Sequence, residues 1–318
     1  MLRLLALPIG KRDWAQSMSE VSAFLDGTLW QDWHQTPVAG DASARSYRRL
    51  TSPNGESVIL MIAPPEAGED LGPFLHIADH LAGIGLCPPS ILKFDQSAGL
   101  AIIGDLGPRH FADWIAVGDA DELTLYQAAA DCIQKIGASP APSGLKTMTP
   151  EVGADMVRLY SEWFAPSAEG SKIAVAMKAS LERLAPHPYT LSLRDFHAEN
   201  LIWRPEKQGT DRVGLLDFQD AFLAHPLYDL VSLLRDARRD VSDRTVDALT
   251  KDVDMAAFST ISVQRNLRIL GIFARLVQRD KKLKYQPLIP RVIGHLRRDL
   301  AHPDLCDLSE LILPDLTI

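Results

Sequence analysis

The chain has 318 residues, of which 46% are hydrophobic, and a formal net charge of -8 at pH 7. This length and composition can bury a substantial core and suggest two lobes or domains. Nonspecific nucleic-acid binding depends on neutralising phosphates, so the acidic balance argues against a nucleic-acid partner. Cys87, Cys132 and Cys306 are too few and too scattered for a disulfide framework or a zinc site.

The beginning of the chain does not have the features of a membrane anchor. Its first nine residues are apolar but too short to span a bilayer, and no small-residue cleavage pattern follows them. We therefore expect a cytoplasmic protein with no membrane partner. No feature of the sequence points to an obligate protein partner.

Two strands and a turn are predicted near the start of the chain. Residues 47–50 and 58–62 have strand character, and the Ser-Pro-Asn-Gly turn at 52–55 separates them. A loop of small residues from Gly40, which includes Ser43, precedes the first strand. Such a loop can bring backbone N–H groups close to phosphate oxygens, although an ordinary hairpin has the same pattern.

The second part of the chain has helical rather than alternating spacing. Within residues 122–136, Leu123, Tyr126, Ala130 and Ile133 recur at offsets of three and four, which places them on one helix face. Residues 155–184 and 262–280 have a similar helical character. The predicted fold class is therefore α+β, with a small sheet-containing first domain and a mainly helical second domain.

A phosphoryl-transfer centre is indicated by residues 193–200, which read Leu-Arg-Asp-Phe-His-Ala-Glu-Asn, followed by Asp217. In kinase-type transfer an aspartate accepts the proton of the attacking hydroxyl, while an asparagine five residues later and a further aspartate hold magnesium. Asp195, Asn200 and Asp217 have these types and this order. Their roles are therefore predicted as catalytic base for Asp195 and metal ligands for the other two.

Two short apolar strands are predicted between Asn200 and Asp217. The midpoint of this hairpin falls between Gln208 and Gly209, so antiparallel pairing would bring Asn200 and Asp217 to the same open end. Two oxygen ligands would then converge on one hard cation that also binds nucleotide phosphates. The same loop-and-hairpin pattern also occurs in proteins that are not kinases.

A metal hydrolase is a second interpretation of the loop. Asp195 and His197 would combine with a distant histidine such as His187 or His225, because imidazole and carboxylate ligands suit zinc or iron. The chain has no HExxH motif or paired-cysteine spacing to support this alternative.

The loop resembles that of the aminoglycoside phosphotransferase-like kinases, which usually read His-Gly-Asp-x-His-x-x-Asn followed by Ile-Asp-Trp/Phe. Further matching segments are similar to one branch of that family, the bacterial cell-wall amino-sugar anomeric kinases. They are residues 40–50, 60–66, 105–107 and 271–276, while residues 226–230 match the segment with which the wider family buttresses its catalytic loop. The branch phosphorylates N-acetylmuramate and N-acetylglucosamine at the 1-hydroxyl during peptidoglycan recycling.

The resemblance implies a two-lobed protein-kinase-like fold that uses ATP and Mg2+ and takes a small-molecule sugar substrate. The nucleotide-binding lobe would be residues 1–107, with a hinge at about 103–107, and the catalytic and substrate-binding lobe residues 108–318. Backbone groups near Asp105 and Leu106 would bind the adenine edge, although residues 102–108 also suit a simple turn.

Several further residue roles follow from the resemblance. Asp229 would buttress the catalytic loop, and His197 would shape that loop more than transfer protons. Sugar contacts are assigned to His197, Gln219, Asp220 and Arg275. Gln219 and Asp220 could equally cap the following segment, and the arginines at 268, 275 and 279 could form a solvated stripe.

The strand at 58–62 differs from the kinase pattern because it has no lysine to pair the nucleotide phosphates. Arg45, Arg48 or Arg49 could supply the missing charge, since guanidinium binds phosphate in a bidentate way. A solvated strand face is the alternative for these arginines. An aminoglycoside or other amino-alcohol O-phosphotransferase, and a catalytically weak nucleotide-binding module, remain alternative functions.

Overall fold

The computed structural model describes residues 14–38, 44–166 and 169–316. The chain divides into two compact units, Met1–Gly83 with Pro88–Gly107, and Ile84–Cys87 with Pro108–Ile318. The predicted boundary after residue 107 places Ile84–Cys87 in the first domain. This segment belongs to the second unit because Cys87 pairs with Gly214 in a parallel bridge and its carbonyl accepts the N–H of Leu215 at 2.9 Å.

The first unit contains a five-stranded antiparallel sheet in the order β1-β2-β3-β5-β4. The strands β1 to β5 are His34–Val38, Ser46–Thr51, Ser57–Ile62, Ile91–Asp95 and Leu100–Gly104. The predicted hairpin is confirmed as β2 and β3. Its turn closes with the N–H of Gly55 donating to the carbonyl of Ser52 at 3.0 Å, and Gly55 has a φ of 86° that favours glycine.

Two helices accompany this sheet, α1 (Trp14–Leu25) and α2 (Gly72–Gly83). One core cluster combines apolar side chains of α1 with those of one sheet face. Its buried members are Val21, Phe24, Leu25, Leu50, Val58, Leu60, Ile62, Leu100 and Ile102. Alternate residues of a strand face opposite sides, so Arg48 shares the face of Leu50 while Arg49 lies on the other face.

The second unit is mainly helical, as predicted. Its helices α3 to α11 are Phe111–Ala116, Glu122–Ala138, Pro150–Met156, Gly170–Leu184, Tyr228–Leu234, Asp243–Thr250, Met255–Gln278, Ile289–Asp299 and Cys306–Ile312. The helical spacing over 155–184 is divided among α5, a π-helical turn at Tyr160–Phe164 and α6. Pro166 lies in the break before α6 and cannot supply a helical N–H.

Two short strand pairs position the loop of residues 193–200 in this unit. Strand β6 (Thr190–Ser192) pairs with β9 (Phe222–Ala224), and β7 (Leu201–Trp203) pairs with β8 (Val213–Leu215). Residues 193–200 connect β6 to β7, so both ends of this loop are fixed by strand pairing.

Helix α9 is long and mostly buried. It begins at Met255, seven residues before the predicted start, because the side chain of Asp254 accepts the N–H groups of Ala256 and Ala257 as an N-cap. Gly271 allows close packing, since a Cβ there would lie 2.3 Å from the carbonyl carbon of Leu159. Within the described ranges no helix, α9 included, combines the length and apolar character needed to cross a membrane.

Candidate active site

The loop between β6 and β7 carries Asp195 on a constrained backbone. Arg194 has a φ of 71°, in the left-handed region that few non-glycine residues adopt. The N–H of Asp195 donates to the carbonyl of Leu193 at 2.8 Å, and the N–H of Asn200 donates to the carbonyl of His197 at 2.8 Å. The side chain of Asp195 is 39% exposed, so a substrate can reach its carboxylate.

The side chain of Asp229 holds this loop from its buried side. Its carboxylate accepts hydrogen bonds from the N–H groups of Leu193 (2.8 Å) and Arg194 (3.1 Å) and from the hydroxyl of Ser192 (2.7 Å). Burial raises the pKa of Asp229 to about 6, against the opposing effect of these three donors. Asp229 therefore contacts the loop itself, which is the geometry of a buttress.

The hairpin register differs from the predicted one. Leu201 pairs with Leu215, and the N–H of Leu216 donates to the carbonyl of Asn200 at 3.0 Å. Asn200 therefore lies opposite Leu216, so the midpoint of the hairpin is Gln208 and not the predicted position between Gln208 and Gly209. The connection between β7 and β8 contains a 3₁₀ segment, Gly209–Arg212. The prediction assumed a symmetric turn without such a segment, and this difference accounts for the shifted register.

Asn200 and Asp217 nevertheless converge. Asp217 has a left-handed φ of 58° just beyond β8, and the amide nitrogen of Asn200 donates to its Oδ2 at 3.3 Å. Gln219 donates from Nε2 to the other oxygen of Asp217 at 2.7 Å. Gln219 thus orients Asp217 in this structure, whereas Asp220 is exposed. The predicted sugar contacts of both residues stay predictions.

The chemistry of Asn200 and Asp217 fits a hard divalent cation. The amide nitrogen of Asn200 also donates to the carbonyl of Asp195 at 2.8 Å, so the amide oxygen is the part of this side chain left to act as a ligand. That oxygen and the carboxylate of Asp217 are the donor types that Mg2+ prefers. One or two protein ligands completed by substrate phosphates are a common arrangement for this ion.

His197 lies beneath Asn200 and is 2% exposed. Burial, together with the charges of Arg238 and Arg265, lowers the pKa of His197 well below its ordinary value. Its Nε2 lies 3.3 Å from the amide nitrogen of Asn200. A neutral, buried imidazole in this position orients Asn200, which is the predicted loop-shaping role, and its predicted sugar contact stays a prediction.

The histidines required by the hydrolase alternative do not build a metal centre. The rings of His187 and His225 lie 5.0 Å apart between centroids, but Nδ1 of His225 accepts the N–H of Leu227. Burial and the neighbouring His187 lower the pKa of His225 to about 4. Across the residues that the structure describes, no group of three or more His, Cys, Asp and Glu side chains could hold a metal ion. The hydrolase interpretation therefore has no structural support.

In the first unit, Asp105 ties the end of β5 to β2 and β3. Its carboxylate accepts hydrogen bonds from Arg49 Nε (2.6 Å), Ser57 Oγ (2.8 Å) and the N–H of Gly107 (3.0 Å). Burial alone would raise the pKa of Asp105, but these hydrogen bonds outweigh it and lower the pKa. The side chain thus fixes the backbone of the predicted hinge, and adenine binding by Asp105 and Leu106 stays a prediction.

The candidate phosphate-binding arginines have partners within the first unit. Nε of Arg45 lies 2.8 Å from Oε2 of Glu69, and Nη1 of Arg48 donates to Oε1 of Gln35 at 3.2 Å. Strand β3 reads Ser-Val-Ile-Leu-Met-Ile and brings no lysine to this sheet. Gly40 and Ser43, the predicted phosphate-loop residues, lie outside the described residues.

Arg265 is a charged residue near Asp195 that is absent from the predicted site. It lies on α9, and its Nη2 is 3.8 Å from Oδ1 of Asp195. The sequence has no signal that singles it out, because Arg268 lies in the same mixed apolar and polar stretch of residues 257–274. Arg275, which was predicted to contact the sugar, lies ten residues further along the same helix, about 15 Å along its axis. The role of Arg275 stays a prediction.

Comparison with known proteins identifies the family. A family model described as the phosphotransferase enzyme family matches residues 34–258. The chain belongs to this family. The resemblance to aminoglycoside phosphotransferase-like kinases is thereby confirmed, and the protein is a phosphotransferase of the kinase type.

Two relatives of similar sequence and one protein of similar structure show what this chain resembles. N-acetylmuramate/N-acetylglucosamine kinase from Caulobacter vibrioides is 36% identical over 344 aligned residues, covering 91% of this chain and 93% of the relative. The protein of the same name from Pseudomonas putida is 30% identical, covering 87% of each. A choline/ethanolamine kinase family protein from Mesorhizobium loti has a TM-score of 0.63 and 13% identity, covering 93% of this chain and 99% of that one. The predicted kinase-like fold is confirmed.

Proposed function

We propose that this protein transfers the γ-phosphoryl group of ATP to the anomeric hydroxyl of N-acetylmuramate or N-acetylglucosamine. One observation carries the proposal: Asp195, Asn200 and Asp217 converge in a chain that is 36% identical, over nearly its whole length, to a kinase named for these two sugars. The reaction would take place in the cytoplasm, as part of peptidoglycan recycling.

Asp195 is the proposed base. Its carboxylate is accessible, Asp229 holds the N–H of the preceding residue Arg194, and its own backbone carbonyl accepts the amide of Asn200. The acceptor hydroxyl would donate its proton to Asp195 as it attacks the γ-phosphorus, and fixed placement of the base lowers the barrier by orienting the two groups.

Asn200 and Asp217 would hold Mg2+. The ion, when bound, offsets negative charge on the phosphates. The protein contributes the placement of the two oxygen ligands: His197 and the carbonyl of Asp195 contact the amide nitrogen of Asn200, while Gln219 restrains the carboxylate of Asp217. These contacts support the proposed roles because they restrain both side chains.

The first unit would bind the nucleotide. We assign the phosphates to Gly40, Ser43, Arg45 and Arg48, and the adenine edge to the backbone of Asp105 and Leu106. Two observations support this assignment. Glu69 holds the guanidinium of Arg45 directly after the small-residue loop, and Arg49 and Ser57 restrain the carboxylate of Asp105.

The test is ADP release with ATP and Mg2+ over a panel of N-acetylmuramate, N-acetylglucosamine, other hexoses, kanamycin and choline. We expect turnover with the two N-acetylated sugars and none with Asp195→Asn. Turnover confined to kanamycin or choline would retain the phosphotransferase chemistry and overturn the sugar assignment. Nucleotide binding without turnover on any acceptor would favour a binding module.

A further inference from the structure

A buried cation lies on the inner side of Asp195. The side chain of Arg265, on α9, is 3% exposed, and its Nη2 is 3.8 Å from Oδ1 of Asp195. At this distance the two groups form an ion pair but not a hydrogen bond. Seventy residues of chain separate them, so the contact exists because α9 packs beneath the catalytic loop.

The guanidinium of Arg265 has fewer hydrogen bonds than its five donors allow. Nη2 donates to Oγ of Ser232 at 2.7 Å, whereas Nε and Nη1 are buried and have no hydrogen-bond partner within the part of the chain that the structure describes. A cation is costly to bury unless it is paired and fully hydrogen-bonded. An arginine that contributes to stability alone would be expected to use more of its donors.

Arg235, another buried arginine of this unit, uses more of its donors than Arg265 does. Its Nη2 lies 2.8 Å from Oδ1 of Asp299, and its Nε donates to the same carboxylate. The carboxylate that Arg265 reaches is instead 39% exposed and belongs to the catalytic loop. The positive charge at 265 is therefore directed at a group that has to remain accessible.

Other charged and titratable groups also face Arg265. Tyr228 approaches from α7, Asp236 from the segment after α7, and Arg268 from α9 itself. Burial raises the pKa of Asp236, and its Oδ1 already accepts the N–H of Arg238. Arginine keeps its proton in proteins, so Arg265 presents a constant charge to Asp195.

We infer that Arg265 is a positioning residue for Asp195: its guanidinium holds Oδ1, so that Oδ2 is presented to the acceptor hydroxyl. The inference rests on the proposed function, because it requires Asp195 to act as the base. Helix α7 fixes both parts of the arrangement, since Ser232 orients Arg265 while Asp229 holds the loop backbone.

The first test separates rate from binding. We expect Arg265→Gln to lower kcat about 10- to 100-fold while KM for sugar and for ATP changes little, because a misplaced catalytic group costs rate more than affinity. Arg265→Lys restores part of the lost rate by returning a positive charge. The matched control is Arg235→Gln, which removes an equally buried arginine and is expected to lower Tm without lowering kcat of the folded enzyme.

The second test is a double-mutant cycle. If Arg265 acts through Asp195, Arg265→Gln causes no further loss of kcat in an Asp195→Asn background. Losses that multiply, or an unchanged kcat in Arg265→Gln, would overturn the inference. A fall in kcat of the folded Arg235→Gln enzyme as large as that of Arg265→Gln would do the same.

The wild type, the two single variants and the double variant of this cycle can also be compared by Tm, a measurement that needs no acceptor sugar. Asp195→Asn leaves the buried charge of Arg265 without its anion, so we expect it to lower Tm more when Arg265 is present than when Gln replaces it. Additive Tm shifts would contradict the contact. Failure of the proposed function is distinct, because it is seen as wild-type enzyme that phosphorylates neither sugar.

Discussion

The carboxylate of Asp229 accepts a hydrogen bond from the backbone N–H of Leu193 at 2.8 Å, although 36 positions separate the two residues. The next N–H, that of Arg194, donates to the same carboxylate, and Arg194 has the left-handed φ of 71°. Unfavourable backbone conformations persist only where surrounding contacts over-determine them. Helix α7 thus maintains the loop shape that exposes Asp195.

Replacing Asp229 with Asn removes one of two acceptor oxygens and puts an NH2 group where a backbone N–H already points. We expect the free energy of unfolding to fall by about 1–3 kcal/mol for each buried donor left without an acceptor. Because the loop relaxes, kcat falls as well. Urea unfolding and steady-state kinetics measure the two effects, and wild-type values for both would show that the buttress is dispensable.

Asp195→Asn tests the base. Its amide cannot accept the hydroxyl proton, so kcat should fall about 10²- to 10⁴-fold, the usual contribution of general acid–base catalysis. ATP binding, measured by calorimetry, should remain close to that of the wild type because the substitution leaves Asn200 and Asp217 in place. Near wild-type turnover would mean that this carboxylate does not act as the base.

Asp217→Asn tests the cation site. Removing the charged ligand should raise the Mg2+ concentration required for half-maximal activity by about 10- to 100-fold, the range seen even for outer-shell partners of metal ligands. Asp211→Asn, an exposed position on the same hairpin, serves as the control. Identical Mg2+ titrations for the two variants would argue against Asp217 as a ligand.

The arginines of the first unit can be compared directly. An arginine that binds phosphate contributes a charge-assisted hydrogen bond of about 1.5–3 kcal/mol, so Arg45→Ala or Arg48→Ala should raise KM for ATP roughly tenfold or more. Arg49→Ala should instead lower stability, because Asp105 loses its partner at 2.6 Å. If KM for ATP is unchanged in all three variants, the phosphate cation lies elsewhere.

His295 supplies a prediction for stability against pH. Burial lowers its pKa to about 4, although the ring nitrogen Nε2 lies 3.1 Å from the carbonyl of Asp236. In the unfolded chain the pKa is about 6.5. As pH falls from 6.5 to 4, the unfolded state therefore binds a proton that the folded state does not, and stability decreases.

The contribution of His295 is isolated by comparing wild type with His295→Gln. Asp229, whose pKa is raised to about 6, works in the opposite direction, since its folded form binds a proton before the unfolded form does. Asp229 is present in both proteins, so its effect cancels in the difference. The wild type should lose more unfolding free energy than the variant between pH 6.5 and 4, and parallel curves would contradict the assignment.

The convergence of Asp195, Asn200 and Asp217 could be predicted from sequence because the three residues are close along the chain. Asp195 and Asn200 share one loop, and a single hairpin returns Asp217 to them. The spacing between Asn200 and Asp217 did not determine the pairing register of β7 and β8, because that register depends on the irregular turn between these strands. The left-handed backbone at Asp217 was equally invisible, and it brings the carboxylate to Asn200 despite the shift.

Contacts that depend on tertiary packing could not be read from the sequence. Arg265 reaches Asp195 across 70 residues, and helical spacing alone gave no reason to prefer it to Arg275. Likewise, the partners of Arg45 and Arg49, Glu69 and Asp105, lie 24 and 56 positions away. The sequence identified the arginines as candidates but not the carboxylates that restrain them.

The measurement that tests the central claim most directly is phosphorus–proton correlation NMR of the product formed from N-acetylglucosamine, ATP and Mg2+. The account predicts one new phosphate signal coupled to the anomeric proton, formed by the wild-type protein and absent with Asp195→Asn. A phosphate on any other hydroxyl of the sugar, or an equal yield from Asp195→Asn, would contradict it.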